Sequence, residues 1–475
     1  MIRLAGLTII AVILLTGCDR NNYLGEKAYW KAEQVLKRVD ISQLEAKGTD
    51  LLKPSINAFE NVVEKYPSSS KAVDSLFIVS KLYLKTKNYD KAIEELQRVV
   101  QNYSHLKDKT SEARYRIAEI YEYMGDWKTA EKAFWELSEF HPLHPKGLFA
   151  PVHVIVHYKK ANDPVGQQKA YARAMDFYNS LSKRLGPIQG VASVINNKAM
   201  ANLANGSWRK AEEDWISIPS KFPESPLAPL ALLAAAELSW SKANYGSAEE
   251  YYAQYFDTYP GHPLRGRTAQ QLAIQYLKKG DYSLARDWFS NAIEYSGKNR
   301  EGIAESKLGI AKAYELEGKL ELSREVYEEV WNEYDDTLAY LQTPLLLAKI
   351  YKKLDQEEAA TKILKDALDK YINLEKTSRN VKMVAYAQQL KTACLTQLGE
   401  WKQIMNTFQN YMVNEPSKEK KGKWLFAQAI LAEQELKDGA QAASLYDELI
   451  SDYPEHPLAE TARSRRELLT EVEAS

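Results

Sequence analysis

A chain break, one aromatic and an alanine three residues further on recur along these 475 residues, and no other feature restricts the possible fold as strongly. One copy reads Gly125-Asp126-Trp127-Lys128-Thr129-Ala130. Others place Tyr89 before Ala92, Trp208 before Ala211, Tyr245 before Ala248 and Tyr282 before Ala285. Gly, Asn or Asp ahead of the aromatic tolerates a positive φ and can end one helix in a tight turn. Asp126, Ser207 or Asp281 can then cap the next helix by accepting a backbone N–H. The aromatic is expected to wedge into the corner between two helices, and the small alanine to let their backbones approach. Each copy therefore predicts a helix–turn–helix hairpin.

Spacing turns the hairpin into an architecture. Tyr89 and Trp127 are 38 residues apart, and Trp208, Tyr245 and Tyr282 follow one another at intervals of 37. Trp127 to Trp208 is 81 residues, which leaves room for one degenerate copy. A lone hairpin cannot bury its own apolar face, so a fixed period of this length predicts a solenoid of stacked units. Length alone would suggest about three domains. The repeat replaces that expectation, because a solenoid grows without starting a new core.

The pattern resembles the tetratricopeptide repeat. Between residues 110 and 143, Ala118, Tyr121, Gly125, Trp127, Ala130, Phe134 and Pro142 fall at positions that this repeat favours. Ala273, Tyr276, Gly280, Tyr282, Ala285 and Phe289 repeat the set, as do Ala311, Tyr314, Gly318 and Tyr327. The resemblance implies an all-α, right-handed α-solenoid of about eleven hairpins over residues 23–457, with a capping helix and tail over 458–475. The first hairpin is expected to pair a helix near Glu26–Val39 with one from about Pro54 to Tyr66, Pro54 standing in its first turn. The fourth unit, near 147–186, is the least regular.

Residues 1–17 stand apart. Arg3 gives a positive start, Leu4 to Leu15 is an apolar run too short to span a bilayer as an ordinary helix, and Leu15-Thr16-Gly17 leads into Cys18. This resembles a bacterial lipoprotein signal, which implies lipidation of Cys18, a tether over 18–22 and a protein facing the periplasm. Each buried acyl methylene contributes about 0.8 kcal/mol, so several chains make such an anchor effectively permanent. Asp19 resembles the inner-membrane retention signal of enteric lipoproteins, a rule that other bacteria do not all follow; outer and inner membrane both stay open. The second cysteine, Cys394, lies in a helical stretch where the repeat wants small residues and is expected to be buried packing.

The links between hairpins narrow the family. Phe222-Pro223-Glu224-Ser225-Pro226, Tyr259-Pro260-Gly261-His262-Pro263 and Tyr453-Pro454-Glu455-His456-Pro457 share an aromatic-Pro opening and a second proline. Such links resemble bacterial envelope repeat lipoproteins, namely the BamD-like accessory subunit of the outer-membrane β-barrel assembly machine and the periplasmic coordinator of cell-wall synthesis and Tol–Pal function. The resemblance implies a scaffold for envelope proteins or extended peptides in outer-membrane protein assembly or cell-wall coordination. A scaffold for polysaccharide or pilus export is the alternative. A third reading is an enzyme or carbohydrate-binding protein with a site near the fourth unit, where Gly186-Pro187-Ile188-Gln189-Gly190 interrupts the pattern.

Signals for chemistry are sparse. There is no phosphate loop, nucleophile elbow, His-Glu-x-x-His or paired-cysteine site in the sequence, so neither catalysis nor a cofactor is expected. His141, His144, His153 and His157 are the nearest thing to a constellation, and they read as a loop pair and a helix pair without joint purpose and without metal. A formal net charge of −1 carries no basic domain of the kind nucleic acid requires. Lys418-Glu419-Lys420-Lys421-Gly422-Lys423 reads as a solvated connection, and the acidic run Glu328, Glu329, Glu333, Asp335 and Asp336 as a secondary candidate for a partner contact. The repeat's register implies that Tyr115, Glu119, Leu233, Glu237, Trp240, Arg267 and Gln270 project from first helices toward a concave partner-binding surface. No small-molecule substrate is expected.

Overall fold

The recurring break does what its chemistry allows. In the computed structural model, which describes residues 21–39, 44–186, 188, 190–413, 415 and 417–473, every regular element among those residues is an α-helix. Residues 1–20, with Cys18 and Asp19, lie outside the described residues. The chain divides into two compact units, residues 1–260 and 261–475.

The first unit holds six hairpins: α1 (residues 21–37) with α2 (Leu44–Lys65), α3 (Ser70–Lys85) with α4 (Tyr89–Asn102), α5 (Lys107–Tyr123) with α6 (Trp127–Phe140), α7 (Pro145–Lys160) with α8 (Pro164–Leu185), α9 (Gly190–Ala204) with α10 (Trp208–Lys221), and α11 (Ala228–Ser241) with α12 (Tyr245–Thr258). The second holds five: α13 (Arg265–Lys279) with α14 (Tyr282–Ser296), α15 (Arg300–Glu317) with α16 (Leu320–Glu333), α17 (Leu338–Lys353) with α18 (Glu357–Thr377), α19 (Val381–Leu398) with α20 (Trp401–Val413), and α21 (Lys418–Gln434) with α22 (Gly439–Asp452). A final helix, α23 (Ala459–Glu473), packs on α22, and Arg465 and Arg466 of its polar side reach back to Glu433 and Asp447. Within each unit consecutive helices pack in chain order, and first helices of neighbouring hairpins also touch, as α5 does α7 and α15 does α17. This is the solenoid stacking expected, with the expected eleven hairpins.

One backbone device makes ten of those turns. Two residues before each second helix, from α4 to α22, the chain enters the left-handed region: at Lys87, Gly125, Asn162, Gly206, Ala243, Gly280, Gly318, Asp355, Gly399 and Lys437. The next residue turns back to φ near −85° in most copies, and its N–H bonds a carbonyl five residues upstream, as Asp126 does Tyr121 and Asp281 does Tyr276. That bond closes the outgoing helix in the Schellman manner. Side-chain capping is less uniform than expected. Asp126 caps through Thr129 and Asp163 through Gly166, whereas Ser207 and Asp281 make no cap bond, Asp281 being drawn to Lys279 at 3.2 Å.

Packing explains the other two signals. Ala92, Ala130, Ala211, Ala248 and Ala285 are all fully buried between helices. The aromatic often reaches forward: Trp127 stacks on His157 of the next hairpin at 3.3 Å, and Tyr89 lies 6.1 Å from Tyr123. Tyr245 lies edge-on to Trp240 of its own hairpin at 5.0 Å. Cys394 is buried with Tyr340, Leu364 and Tyr371, and burial pushes its thiol up to about 12.

The first hairpin departs from its expectation. The helix expected to start at Pro54 begins at Leu44; Gly48 (φ 52°, ψ −135°) breaks its path, and Pro54 falls inside it, removing one helical hydrogen bond. Asn21 and Asn22, assigned to the tether, are already helical. The acidic run is also employed internally, Glu328 by Tyr351, Glu329 by Lys307 and Asp336 by Arg300, and the Lys418–Lys423 stretch forms the start of α21 with Lys423 paired to Glu419.

Two hairpins share an unforeseen tie. Pro151 and Pro344 stand inside α7 and α17, where a missing N–H loosens the preceding turn. Three residues before each proline, the carbonyls of Leu148 and Leu341 accept the buried hydroxyls of Tyr178 and Tyr371, each 30 residues downstream on the second helix. Removing such a hydroxyl leaves the carbonyl without that donor, so Tyr178→Phe is expected to lower stability by about 1–2 kcal/mol in urea denaturation. Ala243 carries a left-handed φ of 58° that costs a β-carbon about 1 kcal/mol, so Ala243→Gly is expected to raise stability by about that amount. An unchanged or lower midpoint would show that the turn is not strained.

Candidate partner-binding surfaces

In the first unit the solvent side of α3 and α5 forms an open depression. Lys81, Lys85 and Arg116 supply cations, Leu84 and Ile120 an apolar floor, and Tyr89 and Tyr123 an aromatic rim. Tyr123 is 80% exposed. Arg116 is held by Glu112 at 2.8 Å and lies 5.2 Å over the Phe77 ring, so its charge is positioned rather than free to swing. Burial pushes the Glu112 carboxyl up, but Arg116 and Lys146 outweigh it and hold it below the usual range. Glu119 shows the opposite balance: desolvation raises it, and its neighbours do not compensate.

The residues implied by the repeat's register divide into two sets. Glu119, Glu237 and Arg267 are exposed, with the Glu237 carboxyl raised by desolvation; Trp240 and Gln270 are half-buried, Gln270 donating to Glu305 at 3.2 Å. Tyr115 and Leu233 are buried and not on the open surface; for Tyr115 the neighbouring first helix α7 packs on α5 and covers that part of the stripe. Tyr115 is 4% exposed, sits edge-on to Phe134 at 5.4 Å and shares a 3.0 Å hydrogen bond with His153 Nδ1; burial pushes its phenol up. Leu233, Glu237 and Trp240 belong to the first unit, Arg267 and Gln270 to the second.

The seam that hides Tyr115 unites two of the four histidines. Glu122, near the end of α5, meets His153 Nε2 through Oε2 at 2.7 Å and His157 Nδ1 through Oε1 at 2.6 Å. His153 lies 4.3 Å from the Phe134 ring and His157 is stacked flat on Trp127. Burial raises the Glu122 carboxyl, but the two imidazole contacts outweigh it and leave it lowered. Contrary to the sequence reading, this helix pair does have a joint role, which is to clamp α7 to α5. His144 instead accepts from the Lys146 N–H and caps α7, and burial lowers His141 at the end of α6. Among the described residues no group of three His, Cys, Asp or Glu is placed to hold a metal ion. The sequence signal for the clamp was an i, i+4 histidine pair; its missing half, Glu122, is separated from it by an entire helix.

The second unit repeats the clamp with lysines in place of the histidines. Glu315, three residues before the left-handed Gly318 as Glu122 is before Gly125, meets Lys353 at 2.6 Å and Lys349 at 3.3 Å from α17, and Lys312 at 2.7 Å from its own helix. Burial pushes its carboxyl up, yet the three ammonium groups bring it down to about 2 from an ordinary 4.5. A depressed carboxyl contributes stability that is fully present above its unfolded value and is lost as pH falls toward the folded one. The expected outcome is that Glu315→Gln flattens the loss of second-unit stability between pH 4.5 and about 2, measured as urea midpoints against pH. Parallel curves for variant and parent would contradict it.

Comparison with known proteins agrees with the hairpin geometry. A tetratricopeptide-repeat family model matches residues 74–105, 112–143 and 425–456, which correspond to α3–α4, α5–α6 and α21–α22. No curated protein matches by sequence. Similar solved structures include yeast Tom70 (13% identity over 95% of this chain and 97% of that one, TM-score 0.34) and BtubC from P. vanneervenii (16%, 45% and 91%, 0.31). A tetratricopeptide repeat protein from Parabacteroides merdae ATCC 43184 is similar at 16% identity over 68% of this chain and 99% of that one, TM-score 0.30. The three matched stretches are tetratricopeptide repeats, and such repeats act as protein-interaction scaffolds that bind protein or peptide partners.

Proposed function

We propose that this chain is a lipid-anchored scaffold of the bacterial cell envelope, tethered through Cys18, that faces the periplasm and recruits partner proteins or extended peptides in outer-membrane protein assembly or cell-wall coordination. The observation that carries the binding half is the open α3–α5 surface, where Tyr123 is 80% exposed beside Lys81, Lys85 and a positioned Arg116. Side chains that packing does not use, set on rigid helices, suit capture of a partner with little ordering cost. No reaction is needed for that role.

The anchoring half is supported by the Leu15-Thr16-Gly17-Cys18 pattern behind a short apolar run. Asn21, the first helical residue described, follows Cys18 by three positions, so an extended link spans at most about 10 Å. A lipid at Cys18 would hold the first hairpin against the headgroups and point the repeats toward the periplasm.

The test is crosslinking and pull-down from native membranes, with Cys18→Ala as control. The parent protein is expected in the membrane fraction with β-barrel assembly or cell-wall subunits bound, and the variant in the soluble fraction with fewer partners. A Cys18→Ala form that stays membrane-bound would remove the anchor. Recovery of polysaccharide or pilus export components would move the scaffold to that system, and recovery of no specific partner would sink the scaffold reading itself.

A further inference from the structure

The seam between α15 and α17 holds more positive charge than its carboxylate can use. The Glu315 side chain is 4% exposed and has two oxygens, both engaged, whereas Lys312, Lys353 and Lys349 around it keep 38%, 41% and 56% of their side chains in contact with solvent. Lys352 is exposed beside them and makes no ion pair among the described residues. Four ammonium groups against one carboxylate leave three positive charges at one end of the seam. In the α5–α7 clamp the gripping groups are imidazoles packed against Trp127 and Phe134; here they are ammonium groups that still reach solvent.

Three of these lysines border an open depression of about 560 Å³, lined by Leu345, Leu346, Lys349, Lys352, Lys353 and Gln397, with no acidic residue among the described residues of its wall. Leu345 and Leu346 are half-buried and pack against the core beneath. Gln397, exposed near the end of α19, carries an amide able to pair with a peptide unit. Cations, an apolar floor and an amide donor–acceptor therefore meet in one place on rigid helices.

We propose that this depression takes an acidic segment of a partner protein, its carboxylates on Lys349, Lys352 and Lys353 and an apolar side chain on Leu345 and Leu346. This rests on the reading of the chain as a scaffold and names the chemistry of one partner. An inorganic anion or polyphosphate would engage the lysines alone and leave the leucines and Gln397 without a role; a peptide alternating carboxylates and apolar side chains uses all of them. Ammonium groups are strongly hydrated point charges, so the contact is expected to form quickly and to weaken with salt.

Binding is read by fluorescence anisotropy on the full chain with a labelled octapeptide of alternating glutamate and leucine. Counterparts replace glutamate by lysine, or leucine by serine, and polyphosphate serves as competitor. The glutamate–leucine peptide is expected to bind, the lysine form not to bind, and the serine form to bind more weakly by roughly tenfold. Lys352→Glu should weaken the first peptide by at least about tenfold, and Lys352→Ala by less, with the circular dichroism of both variants unchanged because Lys352 packs against no partner. If Lys352→Glu fails to fold, Lys352→Ala decides. No binding of the first peptide, equal binding of the serine form, or indifference to Lys352 overturns the inference. Native-membrane pull-down with Lys352→Glu separates the two levels. Partners recovered equally by parent and variant would end this inference and leave the scaffold standing, whereas loss of all partners from the parent would end the scaffold reading whatever the peptide does.

Discussion

A left-handed residue two positions before each second helix from α4 to α22 is the constraint on which the stacking depends. It costs nothing at Gly125, Gly206, Gly280, Gly318 or Gly399 and something at Lys87, Ala243, Asp355 and Lys437, yet the backbone adopts it at all of them. The turn is thus imposed by what lies on either side. A hairpin buries its alanine and its aromatic only when the two helices meet at that angle, and the burial in turn prepares a face for the next hairpin. Local strain of about 1 kcal/mol at a non-glycine turn is small against the packing that would be lost if the turn opened.

That dependence decides how much was legible in the sequence. The hairpins, their number and their order follow from a 37–38-residue period that survives changes in every individual residue. The first hairpin's second helix is where the sequence misleads, because Pro54 has the look of a start signal while the actual break is made by Gly48. The tie between a helix proline and a buried tyrosine 30 residues later was not visible, since Tyr178 and Tyr371 look like any other second-helix aromatic until the carbonyls they reach are known.

The surface was legible only by half, for a physical reason. Register identifies which side of a first helix faces away from its own partner, but not which part of that side the next first helix covers. Tyr115 and Glu119 are one turn apart on the same stripe; one is sealed by His153 and Phe134 and the other meets solvent. Leu233 and Glu237 differ in the same way. Predicting the split requires the neighbouring hairpin's side chains, and the sequence gives no direct sign of which of them will arrive.

The two glutamate clamps show how one packing solution leads to different surfaces. Glu122 and Glu315 occupy the same place, three residues before the turn glycine, and each is gripped by a pair of cationic or imidazole side chains one helical turn apart on the following first helix. In the first unit the gripping rings are flat, His157 stacked on Trp127 and His153 tilted against Phe134, and are consumed by the seam. In the second, flexible lysine stems reach the carboxylate and still leave their ammonium groups at the surface, where the desolvation cost of burying them is avoided. The choice of gripping side chain at a structural joint therefore also sets what the joint displays. A repeat protein can in this way keep its stacking constant while varying what each seam offers to a partner.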